Sequence, residues 1–443
     1  MLSIWVARRN RPAWKQSWRR WGKCVVPRLY YNILLWLLLP YIFIHLLWRG
    51  RKQPEYRQRI PERFGLYETP APIRPVLWLH TVSVGETRAA VTLVQALQRD
   101  YPNHHILLTH TTPTGMAMSE QLFGDSVHRV YLPYDYPFAV QRFLEHFRPK
   151  LGVLLETEIW PNLIHHCHEC RIPMLLLNAR LSERSAAGYA RFGGLTSAAL
   201  AELAGVAAQT FDDATRLGRL GAREVSVMGN LKFEIVPPDA QRELGHQLRE
   251  LFGASRRVFL AASTREGEEA LLLAELAKLT ETDLLTVIVP RHPQRFDEVA
   301  ALIERYGLRY QRRSANQPIA ADTQVVLGDS MGEMFAYYEA CDLAFIGGSL
   351  LEFGGQNLLE ACAVGKPVLL GLHTYNFTQA AQQAVAAGAA ERVKDANQLL
   401  ERVNQLRDDS AALAAMGEQG KAFVIAHRGA TAKALTLIAE LIA

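Results

Sequence analysis

The stretch Val76-Leu-Trp-Leu-His80, followed by Thr81-Val-Ser-Val-Gly-Glu86, sets the fold of this chain. Its first five residues carry no acidic or basic group other than one His, which predicts a strand buried on both faces, and the residues that follow predict a turn into a helix over 87–99. The same succession of apolar run, turn and helical segment recurs at residues 105–109, 151–156 and 173–177. Such a succession is typical of a parallel sheet with helices on its faces.

A second series of apolar runs begins after Asn230, at residues 258–262, 284–290, 324–328, 343–347 and 368–371. Ile235-Val-Pro-Pro238 interrupts the pattern between the two series. We therefore predict an α/β protein with two Rossmann-like, doubly wound domains facing a cleft. The predicted divisions are a leader at residues 1–50, an N-terminal domain at 51–235, a C-terminal domain at 236–430, and a terminal helix at 431–443 that packs back on the N-terminal domain.

Composition excludes several classes of protein. The 443 residues are too many for a single hydrophobic core, and 49% apolar with 21% charged residues is typical of a globular chain rather than a disordered or coiled-coil one. Five cysteines, an odd number in a long chain, predict a reducing compartment.

Charge is concentrated at the N-terminus. Residues 1–67 contain fourteen Lys or Arg against two Glu, a net +12, so the other 376 residues carry −7 of the total +5. An enzyme of nucleic acids would spread its cations over a groove, so we predict no nucleic-acid partner. A cationic leader on an acidic body instead predicts contact with an anionic membrane surface.

The leader contains a charge-free run at residues 29–48 with basic residues on both sides, and six of the eight tryptophans lie within residues 1–48. A helix of this length spans about 30 Å, the thickness of the hydrocarbon layer. Asn32, Pro40, His45 and the positive charge on both flanks leave open whether it crosses the membrane or lies in the interface. A cleaved signal peptide and a buried core helix are the weaker alternatives.

Polar residues stand directly after the predicted strands of the N-terminal domain, where ligands bind in open α/β sheets. Gly85 permits a tight turn there, and Glu86 opens the next helix with Ser83 just before it. Such a carboxylate is a general base if burial or an acidic neighbour raises its pKa, and otherwise only complements the helix dipole. Glu156 and Glu158 follow a later strand. Further candidates for binding sugar or phosphate oxygens are Asn178, Arg180 and Lys232.

The loops after four strands of the C-terminal domain predict an anion site, because hydroxyl groups, cations and glycines recur there. Taken singly, each loop is better explained as ordinary turn chemistry, and only the four together, after successive strands, favour a binding site. The candidate binding residues are Ser263, Thr264, Arg265, Arg291, His292, Met331, Gly332, Glu333, Gly354, Gly355, Asn357, Leu358, Leu359 and Glu360. The run from His165 to Cys170 lacks a second ligand pair, and we predict no metal site.

Seven of these motifs occur in an order that resembles one enzyme family. They are Ser83-Val-Gly-Glu86, Tyr131-Leu-Pro-Tyr-Asp135, Glu156-Thr-Glu-Ile-Trp-Pro-Asn162, Asn178-Ala-Arg-Leu-Ser182, Pro290-Arg-His-Pro293, Gly328-Asp-Ser-Met-Gly-Glu333 and Gly354-Gly-Gln-Asn-Leu-Leu-Glu360. From Tyr30 onward the chain resembles the 3-deoxy-D-manno-octulosonic acid (Kdo) transferases of lipopolysaccharide assembly, which are glycosyltransferases of the GT-B type. It departs from their usual pattern at Gln356 and Leu358.

The resemblance implies that Glu86 is the catalytic base and that Glu156 and Lys232 stabilise the transition state. It implies a CMP-binding side formed by Arg291, His292, Met331, Gly332, Glu333, Asn357, Leu358, Leu359 and Glu360. The implied reaction moves Kdo from CMP-Kdo to the lipid A precursor lipid IVA, with inversion at the anomeric carbon.

The resemblance also places the enzyme on the cytoplasmic face of the inner membrane of a Gram-negative bacterium, held by a single N-terminal anchor or a monotopic helix. Since no Asp-x-Asp element is present to hold a metal-bound diphosphate, we expect a metal-independent reaction with no cofactor and no obligatory protein partner. The alternatives are a sugar-nucleotide epimerase of GT-B-like fold and a non-catalytic membrane scaffold.

Overall fold

A computed structural model describes residues 13–279 and 283–442, with the side chains of residues 13–26 and Lys52 left out. The part of the leader before residue 13 lies outside the described residues. The chain divides into two compact units. Unit 1 extends to Glu234 and includes the terminal segment from Gly429, and unit 2 is Ile235–Arg428.

Unit 1 contains a seven-stranded parallel sheet flanked by helices, in the order β3-β2-β1-β4-β5-β6-β7. The strands are β1 (Val76–His80), β2 (His105–His110), β3 (His128–Tyr131), β4 (Pro149–Leu155), β5 (Met174–Ala179), β6 (Gly205–Ala208) and β7 (Val225–Val227). The helices are α1 (Ala13–Lys52), α2 (Val84–Ala89), α3 (Val91–Asp100), α4 (Pro113–Phe123), α5 (Pro137–Phe147), α6 (Pro161–Glu169), α7 (Glu183–Arg191), α8 (Gly193–Glu202) and α9 (Phe211–Leu220).

The centre of this sheet is buried on both faces, as its apolar runs predict. All five residues of β1 are buried, and the indole Nε1 of Trp78 donates to Thr109 Oγ1 at 2.8 Å. Gly152 in β4 faces Trp78, and a Cβ at this position would overlap the Trp78 ring and the sulfur of Met174. The close approach of these side chains to the neighbouring strand therefore requires glycine.

The predicted helix over 87–99 was wrong in its start and its continuity. The hydroxyl of Ser83 accepts the N–H of Glu86 and starts α2 at Val84, so Glu86 lies inside the first turn. α2 then ends at Ala89, because the ψ of −9° at Ala90 departs from the helical value, and α3 begins at Val91.

The apolar helix α1 belongs to unit 1 and continues through Pro27 and Pro40. Its segment Pro27–Arg51 is long and apolar enough to cross a membrane. One face is attached to unit 1 by polar contacts: the Tyr31 hydroxyl donates to Asp135 at 3.0 Å, and Asn162 Nδ2 donates to Asn32 Oδ1 at 2.7 Å. Large apolar side chains elsewhere on the helix are exposed, including Leu34, Leu37, Ile44, Leu47 and Trp48.

Unit 2 repeats the design with a second seven-stranded parallel sheet, in the order β10-β11-β9-β8-β12-β13-β14. The strands are β8 (Arg257–Thr264), β9 (Leu284–Pro290), β10 (Tyr310–Arg312), β11 (Val325–Leu327), β12 (Leu343–Ile346), β13 (Val368–Leu370) and β14 (Ala390–Arg392). The helices are α10 (Asp239–Phe252), α11 (Glu268–Leu276), α12 (Phe296–Arg305), α13 (Met334–Ala340), α14 (Leu359–Ala363), α15 (Thr378–Ala386), α16 (Ala396–Arg407) and α17 (Ser410–Ala426).

The last helix, α18 (Ala430–Ile442), returns to unit 1. Its side chains Ala430, Ala434 and Ile438 are fully buried among the apolar residues of α3 and β4. The prediction of two parallel-sheet, Rossmann-like domains with an N-terminal apolar helix is therefore confirmed.

Candidate active site

The carboxylate of Glu86 lies directly after β1, at the carboxyl edge of the unit 1 sheet. Its Oε2 accepts the backbone N–H of Val82 at 2.7 Å, and its Oε1 accepts the Ser83 hydroxyl at 2.9 Å. The residue is 8% exposed. Because two donors from one turn hold both oxygens, the carboxylate has a fixed orientation while keeping lone pairs free for a further proton donor.

Two effects raise the pKa of Glu86 to about 7. Burial is the larger, and the negative charge of Glu156 adds to it. The hydrogen bonds from Val82 and Ser83 and the charge of Lys232 lower the pKa and only partly offset these effects. The group is thus an acceptor that changes protonation state near neutral pH, as a general base requires.

Glu156 follows β4 and pairs with Lys232. Lys232 Nζ lies 3.1 Å from Glu156 Oε1, and both side chains are partly exposed. The backbone of Glu156 has a φ of +61°, an unusual conformation for a residue with a side chain. The resemblance implies that Glu156 and Lys232 stabilise the transition state. The two side chains contact each other and lie close to Glu86, since each affects the pKa of that carboxylate.

Glu158 is a third carboxylate in this cluster. Trp160 Nε1 donates to its Oε2 at 2.8 Å. Burial and then the charge of Glu86 raise the pKa of Glu158 to about 7. The two carboxylates therefore lie close enough for the charge of Glu86 to raise the pKa of Glu158.

A network of polar side chains positions Lys232, and it includes the predicted candidate Asn178. Asn178 Oδ1 accepts the N–H of Leu231, and Asn230 Oδ1 accepts the N–H of Lys232. Gln209, which the sequence analysis missed, links Asn178 to Asn230 through bonds of 3.0 Å each. Gln209 directly follows β6, so the rule that site residues follow strands would have found it had that short strand been predicted.

In unit 2, the loop after β8 is organised by an unpredicted carboxylate, Glu268. This side chain is fully buried and accepts the N–H groups of Arg265, Gly348 and Leu350 at 2.9, 2.6 and 3.0 Å. Thr264 is also buried and donates its hydroxyl to Glu269 at 2.7 Å. Glu268 therefore ties together the first and fourth loops of the predicted anion site.

Cations gather beside this loop. Burial and the charges of Arg265, Arg291 and Arg295 all lower the pKa of His292, which places three guanidinium groups near one imidazole. The guanidinium carbon of Arg265 lies 4.5 Å from the centre of the Phe353 ring. Ser263, between these loops, has a φ of +56°. Such a cluster of cations is suited to binding an anion.

The remaining predicted residues of unit 2 have different surroundings. Glu333 accepts the Ser330 hydroxyl at 2.7 Å and lies 3.3 Å from Arg313. Asn357 Nδ2 donates to Glu360 at 3.0 Å, and its Oδ1 accepts the N–H of Leu359. Leu358 and Leu359 are core side chains, Met331 is exposed, and positive φ angles occur at Gly332, Gly354 and Gly355.

The His165–Cys170 run is involved in structural contacts. His165 lies 3.1 Å from Glu202 and 3.2 Å from Glu169, and Cys167 is buried. Within residues 13–279 and 283–442, no group of three or more His, Cys, Asp or Glu side chains could hold a metal ion.

Two doubly wound parallel sheets with polar loops at their carboxyl edges are the two domains of a fold of the GT-B type. A family model described as glycosyl transferases group 1 matches residues 272–423, and one described as 3-deoxy-D-manno-octulosonic-acid transferase (kdotransferase) matches residues 58–235. The chain belongs to this Kdo transferase family.

Relatives along nearly the whole chain support this assignment. The chain is 43% identical over 426 residues to the 3-deoxy-D-manno-octulosonic acid transferase of Bordetella pertussis, covering 93% of this chain and 98% of the relative. It is 38% identical to that of Haemophilus influenzae, again covering 93% and 98%.

Solved structures show the same fold at low identity. UDP-GlcNAc 2-epimerase from Neisseria meningitidis is 16% identical with a TM-score of 0.56, covering 83% of this chain and 100% of that one. MurG from Acinetobacter baumannii is 15% identical with a TM-score of 0.53, covering 83% and 99%. Because an epimerase and a transferase share the fold, family membership and not the fold favours transfer over epimerisation.

Proposed function

We propose that this Kdo transferase moves Kdo from CMP-Kdo to a hydroxyl group of lipid IVA, with inversion at the anomeric carbon and release of CMP. The observation that carries the proposal is the buried Glu86 carboxylate with a pKa of about 7, held by Val82 and Ser83 beside the Glu156–Lys232 ion pair.

Glu86 is the base in this mechanism. It accepts the proton of the acceptor hydroxyl as that oxygen attacks the anomeric carbon of Kdo, and the bond from this carbon to the CMP phosphate breaks in the same displacement. A single displacement inverts the anomeric carbon and needs no covalent enzyme intermediate. Lys232, held in place by Asn230 and Glu156, stabilises negative charge that develops in the transition state.

The cations of unit 2 hold the leaving group. Arg265, Arg291 and His292 lie together at the loops after β8 and β9, where a phosphate would find charge-assisted hydrogen bonds. Ser263, Met331, Gly332, Glu333 and the segment from Gly354 to Glu360 complete the proposed CMP side. We propose that these cations replace a metal ion in neutralising the phosphate and that the enzyme uses no cofactor.

A lipid acceptor explains why the enzyme carries the apolar helix α1. An apolar helix attached to unit 1 keeps the candidate base close to a membrane-embedded substrate. The basic residues beside this helix support our proposal that the enzyme works on the cytoplasmic face of the inner membrane of a Gram-negative bacterium.

The test uses the full chain in detergent micelles with CMP-Kdo, with and without lipid IVA, in the presence of a chelator. We expect CMP release only when both substrates are present, and a lipid product whose mass has increased by whole Kdo units. Turnover of a UDP-sugar without lipid would support the epimerase alternative instead. Absence of any turnover, with both substrates bound, would support the scaffold.

A further inference from the structure

A cavity of about 360 Å³ lies between α1 and the carboxyl edge of the unit 1 sheet. α1 forms one wall with residues that include Ile42 and Arg49, and the loops after β1 to β4 form the other. The helix α1 therefore forms a wall of a cavity on the enzyme in addition to being a candidate membrane anchor.

This cavity reaches the turn that holds the candidate base. Val82 lines it, and the N–H of Val82 donates to Glu86 at 2.7 Å. Glu158 also lines it, and its carboxylate lies close enough to Glu86 for the two charges to interact. A group bound in the cavity therefore lies next to the carboxylate that takes the acceptor proton.

Two arginines give the cavity a preference for anions. Arg63 is 3% exposed, and its Nη1 donates to the carbonyl of Thr111 at 3.0 Å. Its Nε and Nη2 are buried and have no hydrogen-bond partner within bonding distance among the residues that the structure describes. The face of the guanidinium group stacks on Tyr131, with the guanidinium carbon 4.0 Å from the ring centre, and this leaves the N–H edge of the group available. A buried guanidinium with unused donors favours a bound oxyanion, since phosphate accepts such N–H groups in pairs. Arg49 is exposed on the same cavity, with its guanidinium 4.6 Å from the ring centre of Tyr56.

The position of the cavity along α1 indicates that the bound anion is part of a lipid. The wall that α1 contributes is the last part of its apolar segment, which ends at the basic residues Arg49 and Arg51. In a membrane helix this is the level of the headgroups, and apolar side chains such as Ile44 and Leu47 are exposed beside it.

We infer that α1 forms part of the acceptor site, and that Arg49 and Arg63 bind a phosphate group of the glycolipid acceptor while its sugar hydroxyl reaches Glu86. This inference rests on the proposed function, because it assumes transfer to a phosphorylated lipid. It assigns α1 a role in substrate binding that an anchor alone does not have.

Two matched pairs of variants in the full chain test the inference. Ile42→Trp fills the cavity, whereas Ile44→Trp adds the same bulk to an exposed position two residues along. Arg49→Ala removes a cavity charge, whereas Arg51→Ala removes an exposed one nearby. We expect Arg49→Ala to raise the KM for lipid IVA by about tenfold, the usual effect of one lost charged contact. Ile42→Trp should raise it by about as much, because the larger side chain occupies space that the acceptor would fill. The KM for CMP-Kdo should be unchanged in both variants. The controls should stay within about twofold, a small free-energy change.

A dephosphorylated acceptor separates phosphate binding from general membrane attraction. With that acceptor, the difference in KM between Arg49→Ala and unmodified protein should disappear. Arg63→Lys keeps the positive charge but loses the two-pronged geometry of the guanidinium group, and it should show an intermediate KM for the phosphorylated acceptor. Equal effects of each variant and its control, in an unmodified protein that transfers Kdo normally, would overturn the cavity assignment alone. An unmodified protein that transfers no Kdo to lipid IVA would overturn the proposed function.

Discussion

Glu86 in unit 1 and Glu268 in unit 2 occupy similar places in the two parallel sheets. Each follows the first strand of its unit, lies in the first turn of the next helix, and accepts the N–H of a residue three or four positions earlier. Burial raises the pKa of both carboxylates. Position in the fold therefore does not distinguish them.

The groups around Glu86 and Glu268 distinguish the two carboxylates. Glu268 is fully buried and also has partners in a second loop, because the loop after β12 donates the N–H groups of Gly348 and Leu350. Glu86 has two donors from its own turn and, in place of a third, the charged groups of Glu156 and Lys232. A carboxylate saturated by backbone donors is a structural support, whereas one left with charged neighbours and free lone pairs is available for proton transfer.

The largest expected effect that tests this comparison is the loss of transfer in Glu86→Gln. The amide has the same shape but cannot take a proton, so kcat should fall by about 10²- to 10⁴-fold, with the KM for CMP-Kdo nearly unchanged. Single-turnover transfer assays measure the rate, and thermal unfolding checks the fold. Glu68→Gln, at an exposed position in the same unit, is the control and should behave like unmodified protein.

Lys232→Met should have the next largest effect, a decrease in kcat of about 10²-fold, because a cation is removed from where charge develops. Since Lys232 lowers the pKa of Glu86, its loss should also move the acid limb of the pH–rate profile to higher pH. Lys433→Met changes an exposed lysine of unit 1 for comparison. An unchanged rate and profile would mean that the ion pair with Glu156 has no part in catalysis.

Glu268→Gln should change stability rather than chemistry. Replacing a buried carboxylate that accepts three N–H groups should lower the free energy of unfolding by about 2–4 kcal/mol. Denaturant titration at 10 °C would measure this loss. Protein that remains folded should keep most of its kcat, and a stable but inactive variant would contradict the distinction between the two carboxylates.

The smallest expected effect is on pH dependence. With its pKa near 7, Glu86 becomes an effective base only as pH rises through neutrality, so kcat/KM should increase with pH over that range. Glu158→Gln removes a neighbouring negative charge, lowers the pKa of Glu86, and should move the acid limb to lower pH by about one unit or less. A profile from pH 5 to 9 tests the sign of the shift, and a shift to higher pH would show that the two carboxylates do not interact as described.

The sequence predicted the fold because the long central strands are continuous apolar runs. β1 and β9 have the predicted bounds, whereas β6, with the sequence Gly-Val-Ala-Ala, has too little β propensity to be recognised alone. The helix prediction after β1 missed the effect of the Ser83 cap, a local hydrogen bond that hydrophobic periodicity does not report.

For the site, the rule that functional residues follow strands selected Glu86, Glu156 and Lys232 as candidates, and the structure brings these three side chains together. It could not reveal that Lys232 pairs with Glu156, because the contact depends on the order of four strands and not on local spacing. It also missed Glu268, whose partners Gly348 and Leu350 are about eighty positions away in the chain. Charge pairing and hydrogen-bond saturation are thus properties of the assembled sheet.

The attachment of α18 to unit 1 has a consequence for biosynthesis. On the ribosome α18 emerges only after all of unit 2 has been made. The positions that Ala430, Ala434 and Ile438 fill therefore stay open to water until α18 has been synthesised. Unit 2 can complete its hydrophobic core before that point, whereas the unit that carries the candidate base cannot complete its own core until α18 follows.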